Sequence, residues 1–200
     1  MPPSKQERRE ALKAVYHQAR DCTRCPQLAA TRTTVVFGSG NADADLMFVG
    51  EAPGKNEDEQ GLPFVGQAGK LLDRLLGEIG LTRADVFIAN VLKCRPPGNR
   101  NPEPGEVAQC SPYLERQLAL IRPGVIVALG RFAAMTLLNT DATIASLRGR
   151  VHQYRGVPLI VTYHPAYLLR SLPDKAKAWE DLVFARRTFA SLRNAEPSQT

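Results

Sequence analysis

The chain has 200 residues, of which 44% are hydrophobic and 23% charged, a composition that is ordinary for a globular domain and excludes a disordered, collagen-like or coiled-coil protein. No apolar run approaches the ~20 residues of a membrane span, and the polar start of the chain lacks the apolar core of a signal peptide. The net charge of +6 suits an anionic partner such as nucleic acid, although charge alone does not specify one. We expect a single cytoplasmic domain over residues 1–193 that is monomeric, has no membrane contact and ends in a flexible tail over 194–200.

The first part of the chain predicts a helix, a cysteine pair and a buried strand. Apolar residues recur at helical spacing over residues 5–20, and a turn-like CxxCP motif follows at 22–26. The apolar run Leu-Met-Phe-Val-Gly at 46–50 is typical of a strand that is buried on both faces. It leads into a long polar loop over 51–61.

The middle of the chain continues with a helix, a second strand and an irregular loop. Leucines form one face of a predicted helix over 67–80, and Gly80 is a typical C-terminal cap. A second apolar strand is predicted over 86–92. The following loop, over 94–105, is rich in proline, glycine and asparagine. A further helix is predicted over 105–121.

The last part of the chain predicts two more strands and two more helices. Strands are expected over 125–130 and 159–163, with a short helix over 131–138 between them. The C-terminal helix is expected over 174–193, with five side chains facing inward: Trp179, Leu182, Val183, Phe189 and Leu192.

Strands that alternate with helices indicate an α/β fold with a mostly parallel sheet covered on both faces. Ligands of such folds bind beyond the carboxyl ends of the strands. The sequence therefore predicts one mouth that is formed by four segments: 51–61, 90–100, 130–131 and 164–170.

Four cysteines indicate a metal centre, because structural disulfides are unusual in a chain without an export signal. They are Cys22, Cys25, Cys94 and Cys110, of which only the first two form a tight CxxC pair. Scattered thiolates suit a [4Fe-4S] cluster, whereas zinc ribbons usually present two CxxC pairs. A zinc site and four unrelated buried thiols remain alternatives on spacing alone.

The glycine-rich segment 50–58 begins the predicted mouth. Its backbone N–H groups could face an anion, but its glycine spacing matches neither a phosphate-binding P-loop nor a dinucleotide-binding motif. Glu51 and Glu57 in this segment are either site carboxylates or part of a solvated acidic loop. Phe64, a little further on, either stacks on a planar ligand or packs against the leucine-faced helix.

Two further polar residues follow strands at the same mouth. Asn90 interrupts an apolar strand, so its amide either reads a ligand edge or makes a structural hydrogen bond. His164 follows the last strand and either stabilises a developing anion or is structural. The Leu-Leu-Arg that follows, Leu168 to Arg170, could wedge into a duplex.

Taken together, these strings resemble the uracil-DNA glycosylase superfamily, and most closely family 4, its iron–sulfur branch. The matching strings are GEAPGKNED (50–58), GLPFVGQAGKLLDRLL (61–76), KCRPPGNR (93–100) and HPAYLLR (164–170), together with the strand that ends at Asn90. The resemblance implies a three-layer α/β/α sandwich around a four-stranded parallel sheet. It also implies hydrolysis of the N-glycosidic bond of deoxyuridine in DNA, with the four cysteines as ligands of a [4Fe-4S] cluster.

The resemblance also implies roles for single residues at the base. Phe64 would stack on the flipped uracil, Asn90 would read its O4/N3 edge, and His164 would donate toward O2. The motif from Glu51 to Glu57, with Ala52 and Gly54, would line the pocket and hold the water.

Contacts to the DNA backbone follow from the same resemblance and from the predicted mouth. Leu168, Leu169 and Arg170 would hold the opened duplex, and phosphates would meet Arg95, Arg100, Arg131 and Arg170. We expect uracil-containing DNA, single- or double-stranded, as the partner.

One position departs from the best-known branch of the superfamily. Family 1 enzymes carry an aspartate at the position of Ala52, where it orients the water, so another carboxylate must act here. We expect Glu51, ahead of Glu57, because it lies nearer the strand end. Two other functions remain open: a relative that binds uracil-DNA covalently without turnover, and a cluster-bearing DNA-binding module without catalysis.

Overall fold

A computed structural model of the protein describes residues 3–195. Most of the flexible tail expected over 194–200 lies outside the described residues, while residues 194 and 195 belong to the last helix. The strands are β1 Ser39–Gly40, β2 Leu46–Gly50, β3 Phe87–Asn90, β4 Val125–Leu129, β5 His152–Tyr154 and β6 Val157–Thr162. The helices are α1 Lys5–Arg20, α2 Pro26–Thr31, α3 Lys55–Gln60, α4 Gln67–Glu78, α5 Pro104–Ile121, α6 Arg131–Leu138, α7 Ile144–Leu147, α8 Pro165–Leu168 and α9 Pro173–Ala195, and a 3-10 turn spans Pro97–Asn99.

The six strands form one sheet in the order β1-β3-β2-β4-β6-β5. The four central strands are parallel, with Gly50 of β2 in register with Asn90 of β3 and Ala128 of β4 in register with Val161 of β6. This arrangement confirms the predicted four-stranded parallel sheet. Two short antiparallel strands, β1 and β5, extend its edges and were not predicted.

Helices cover both faces of the sheet, because the side chains of each strand alternate between two cores. In β4, Ile126 and Ala128 pack with α1, α5 and α6, while Val125 and Val127 pack with α4 and α9. The strands can therefore be apolar without interruption, as their sequences indicated. The result is the predicted three-layer α/β/α sandwich.

The last helix differs from its prediction in the face that it buries. Ala178, Leu182 and Ala185 form a narrow stripe, each 1% exposed, that packs on the sheet. Trp179 and Leu192 are 42% and 41% exposed, so the expectation that they face inward is wrong. Since each residue advances a helix by about 100°, a residue next to a narrow stripe already points away from the core. No helix among the described residues combines the length and the apolar character that crossing a membrane requires.

Candidate active site

The carboxyl ends of three of the four parallel strands, β2, β3 and β6, open on one cavity of about 560 Å³, whereas residues 130 and 131 after β4 do not line it. Glu51, Asn90 and His164 follow or end three different strands and all line it. This is the edge at which parallel sheets bind ligands. Nine of the candidate site residues named from the sequence line this cavity: Glu51, Ala52, Gly54, Glu57, Phe64, Asn90, Arg100, His164 and Arg170.

Asn90 presents an unpaired acceptor at the floor of this cavity. The residue is 2% exposed, and its Oδ1 is buried without a hydrogen bond from any residue that the structure describes. A buried acceptor without a hydrogen bond costs folding free energy unless a ligand donates to it. Gly50 leaves room for the side chains of Asn90 and Phe64, since a Cβ at position 50 would stand 2.4 Å from Asn90 Oδ1 and 2.7 Å from the Phe64 ring.

Phe64 has a strained backbone conformation, and hydrogen bonds from Arg83 hold it in place. Its φ is +52°, in the left-handed region that residues other than glycine rarely adopt. Arg83 donates to the carbonyls of Pro63, at 2.8 Å, and of Phe64, and pairs with Asp73 at 2.5 Å. The ring of Phe64 lies 5.5 Å from that of His164, centroid to centroid, which leaves the two rings side by side at the cavity.

The two candidate carboxylates have different surroundings. Oε1 of Glu57 accepts the backbone N–H groups of Val65 and Gly66, at 2.8 and 2.9 Å, so this carboxylate fixes the loop that carries Phe64. Glu51 lines the cavity half-buried and forms no side-chain hydrogen bond within the described part of the chain. Burial raises the pKa of Glu51. The geometry thus gives Glu57 a positioning role and leaves Glu51 as the carboxylate that can face a water molecule.

His164 is a neutral donor in this setting. Desolvation lowers its pKa to about 4, against the opposing charge of Glu57. Its Nδ1 accepts the backbone N–H of Ala166 at 3.1 Å, which caps α8. The single proton of the neutral ring is therefore on Nε2, which makes no hydrogen bond within the described residues and can donate toward a group in the cavity.

The predicted phosphate-binding arginines fall into two groups. Arg100 makes two hydrogen bonds to the Glu106 carboxylate, at 2.6 and 2.9 Å, so its main contact holds the proline-rich loop on α5. A phosphate contact by Arg100 stays a prediction, and it would have to form beside this ion pair. Arg95, Arg131 and Arg170 form no ion pair among residues 3–195, and Arg131 and Arg170 are exposed.

The two adjacent leucines, Leu168 and Leu169, differ in solvent exposure. Leu168 is 0% exposed and packs in the core beside α4 and α9, which corrects the expectation that it contacts an opened duplex. Leu169 is 44% exposed, and Leu172, which sequence reasoning did not single out, is 69% exposed. A turn of helix α8 explains the split, because neighbouring helical positions point in different directions.

The four cysteines come together on the other side of the Asn90–Cys94 segment. Cys22, Cys25, Cys94 and Cys110 line one small cavity. None of them forms a disulfide. No group of three or more His, Cys, Asp or Glu side chains within the described residues is close enough to hold a single metal ion. A four-iron cluster binds one thiolate at each iron, so its ligands stand further apart than those of one ion, and an all-cysteine donor set fits it.

Hydrogen-bond donors surround the cysteine sulfurs. Arg32 donates to Cys94 Sγ at 3.2 Å, and the backbone N–H of Lys93 donates to Cys110 Sγ at 3.3 Å. Such donors stabilise the negative charge of thiolates and of cluster sulfur. This polar shell supports the fit of a cluster to the donor set.

Lys93 links the cysteine cavity to the mouth and was missed by sequence reasoning. Its side chain is fully buried, and its Nζ donates to the backbone carbonyl of Asn90 at 2.7 Å and to Gln117 Oε1 at 2.6 Å. Gln117 in turn donates to the carbonyl of Phe37 at 2.8 Å. A lysine directly after a buried strand is a weak signal, and nothing in the sequence indicated Arg83.

Comparison with known proteins assigns the family. Residues 37–183 match the uracil DNA glycosylase superfamily. A "Type-4 uracil-DNA glycosylase" of Archaeoglobus fulgidus is 49% identical over 168 residues, which cover 80% of this chain and 84% of the relative. Proteins of the same description from Thermotoga maritima and Saccharolobus solfataricus are 47% and 44% identical, covering 85% and 90% of this chain and 89% and 87% of the relatives. The chain therefore belongs to the uracil DNA glycosylase superfamily, and within it to the type-4 uracil-DNA glycosylases.

Proposed function

We propose that this protein is a DNA repair enzyme that hydrolyses the N-glycosidic bond of deoxyuridine in DNA. It releases uracil, leaves an abasic site and so opens base excision repair. The observation that carries the proposal is the buried Oδ1 of Asn90, which has no partner among residues 3–195 and lies beside Phe64 and His164 at the cavity floor. The names of the relatives support the same activity.

Recognition of uracil follows from the amide of Asn90 and the ring of Phe64. Oδ1 of Asn90 accepts from the N3–H of uracil, and its Nδ2 donates to O4. Cytosine presents the opposite pattern at both positions and would leave buried polar groups unpaired, which strongly disfavours it. The Phe64 ring stacks on the face of a base that has left the duplex.

His164 stabilises the leaving base. As the C1′–N1 bond breaks, its electron pair goes to uracil and negative charge grows at O2. The Nε2–H of His164 donates to that oxygen, and the ring stays neutral because its pKa is about 4. A donor that is already in place needs no reorganisation during the reaction.

Glu51 acts on the sugar side of the broken bond. The sugar gains oxocarbenium character, and the carboxylate offsets that positive charge and orients the water. The water oxygen bonds to C1′, and Glu51 can take up the proton that the water releases. Ala52 supplies no carboxylate, so this task falls to the neighbouring residue.

Arginines that follow three of the parallel strands meet the DNA backbone. Arg95, Arg131 and Arg170 supply positive charge for phosphates, and Leu169 projects beside the mouth. Arg100 contributes indirectly, because its pairing with Glu106 keeps the proline-rich loop in place.

A [4Fe-4S] cluster held by Cys22, Cys25, Cys94 and Cys110 has a structural role in this proposal. When bound, it cross-links the N-terminal segment to the loop after β3, and glycoside hydrolysis itself requires no electron transfer. Iron analysis and the visible absorption of pure protein test its presence. Replacement of Cys94 by serine should lower both iron content and folding stability, and an intact fold with only altered DNA affinity would count against a structural role.

A uracil-release assay tests the activity. Pure protein is mixed with excess single-stranded DNA that carries one deoxyuridine, and the same strand with cytosine serves as the control. We expect several uracils released per protein molecule and none from the control. A trapped protein–DNA adduct would instead indicate the covalent binder, which the absence of histidine from residues 93–100 disfavours. DNA binding without any release would indicate a non-catalytic module.

A further inference from the structure

A second groove lies between α4 and α9 and is separate from the cavity at the strand ends. Its volume is about 610 Å³, and Leu71 and Leu75 form a buried apolar floor. Trp179, the single tryptophan of the chain, stands at its wall with 42% of its surface exposed. A large aromatic residue that is exposed beside an apolar floor is a feature of binding surfaces rather than of a finished core.

Two stretches of chain lead from the mouth to the groove. Ala68 lines the mouth and Leu71 lines the groove, and residues three apart on a helix are neighbours on one face. On the opposite wall, Arg170 lines the mouth and Lys175 lines the groove, with the highly exposed Leu172 between them. A chain that leaves the mouth along this path meets Leu172 first and Trp179 further on.

The charge of the groove favours an anionic occupant. Arg74 and Lys175 line it, and neither forms an ion pair with another residue in the part of the chain that the structure describes. Glu78, exposed at the far end of α4, is the acidic residue of the lining. Two cations and an aromatic side chain line this groove over an apolar floor, which is the combination that binds single-stranded nucleic acid without reading its sequence.

We propose that this groove holds the single strand of DNA that flanks the flipped nucleotide, with one base stacked on Trp179. Arg74 and Lys175 lie where they can meet the phosphates on either side of that base. The inference rests on the proposed function, because it extends the path of a DNA strand whose uracil occupies the mouth. Such a contact makes affinity depend on strand length and adds no base specificity.

The single tryptophan makes the contact directly measurable. Wild-type holoprotein is titrated at low salt with oligothymidylates that contain no uracil, one short enough to reach only the mouth and one of about 16 nucleotides. Stacking of a base on Trp179 should quench its fluorescence with the long strand and much less with the short one. The quenching should weaken as salt is added, because phosphate contacts release counterions. Unchanged fluorescence at saturation with the long strand, with binding verified by anisotropy of a labelled strand, would overturn the proposal.

Substitutions then separate the groove from the mouth. Trp179→Ala should weaken binding of the labelled long strand roughly tenfold, the loss expected for one base–aromatic stack, and Trp179→Phe should restore most of it. Leu192→Ala is the matched control, because Leu192 is equally exposed on the same helix but lies outside the groove. An equal loss in both variants, or no loss in Trp179→Ala, would refute the stacking contact.

Uracil release distinguishes this proposal from the proposed function. For Trp179→Ala we expect KM for a long uracil strand to rise about tenfold, with kcat unchanged and with wild-type kinetics on the short strand. If wild-type protein releases no uracil but the long strand still quenches the fluorescence of Trp179, the proposed activity is refuted and the proposed DNA-binding groove is supported. If uracil release is normal and neither strand quenches, the groove does not bind DNA and its exposed surface suits a protein partner instead.

Discussion

The different surroundings of Glu51 and Glu57 predict that the same substitution has opposite consequences at the two positions. Replacing Glu51 by glutamine removes a half-buried carboxylate that faces the cavity without a partner among the described residues. The loss of this charge opposite the developing sugar cation should lower the single-turnover rate by about 10²–10³-fold, the usual effect of one preorganised electrostatic group. Stability should stay the same or rise, because burial raises the pKa of Glu51 and its ionised form therefore costs folding free energy at neutral pH.

Glu57→Gln should show the reverse pattern. The amide oxygen can still accept the N–H groups of Val65 and Gly66, but two charge-assisted hydrogen bonds become neutral ones. Each such change costs about 1 kcal/mol, so the free energy of unfolding should fall by about 2 kcal/mol. In a domain of this size that corresponds to a decrease in Tm of about 4–8 °C. The rate should fall only modestly, since Phe64 keeps its backbone hydrogen bonds to Arg83.

Single-turnover uracil release with excess enzyme and thermal unfolding by circular dichroism measure the two effects. Glu57→Ala completes the series, because it leaves both N–H groups without an acceptor and should destabilise the protein further. The roles assigned to the two carboxylates would be reversed by one pair of results. In that case Glu51→Gln would have a near-normal rate, and Glu57→Gln would be slow but normally stable.

Four further predictions concern Gly50, His164 and Lys93. Gly50→Ala should lower kcat/KM by about 100-fold in the release assay, because its Cβ would clash with Asn90 and Phe64, and a normal value would contradict the close contacts. The rate should not change near pH 6.5, where an ordinary histidine titrates, since the pKa of His164 is about 4. For the same reason His164 binds its proton more tightly in the unfolded state than in the folded state. The free energy of unfolding should therefore be highest above about pH 6.5 and should decrease as the pH falls toward 4. In urea unfolding, a His164→Phe variant should lack the part of this decrease that comes from His164. Lys93→Met should lower the free energy of unfolding by about 1–3 kcal/mol for each acceptor left unpaired, and unchanged urea denaturation would show that these hydrogen bonds contribute nothing.

The central architecture was predictable because its signals are strong and local. Uninterrupted apolar strands such as Leu46–Gly50 and Val125–Leu129 can only be buried on both faces, which dictates helices on both sides. The edge strands were not predictable in the same way. Ser39–Gly40 and His152–Tyr154 have two and three residues and no alternating apolar pattern, so they exist only through pairing with a neighbour.

The site was predictable as a set of residues but not as a set of roles. Strand ends and resemblance indicated which side chains meet at the mouth, because parallel strands share one carboxyl edge. Whether a side chain is free depends on partners that are distant in sequence. Glu57 is paired with backbone eight and nine residues away, and Arg100 is held by Glu106. The burial of Leu168 and the exposure of Trp179 were not predictable either, because helical spacing alone does not fix the width of a buried stripe.

The short segment from Asn90 to Cys94 would couple the proposed cluster to hydrolysis even though the cluster takes no part in the proposed reaction. Asn90 lines the proposed base pocket at one end, and Cys94 lines the cysteine cavity at the other. Between them, Lys93 donates its ammonium to the Asn90 carbonyl and its backbone N–H to Cys110. We therefore expect a shift of the cysteines to pass through Lys93 to the backbone of Asn90. Since a misplacement of about 1 Å can cost a hundredfold in rate, loss of the cluster should impair base recognition even where the sheet itself stays folded.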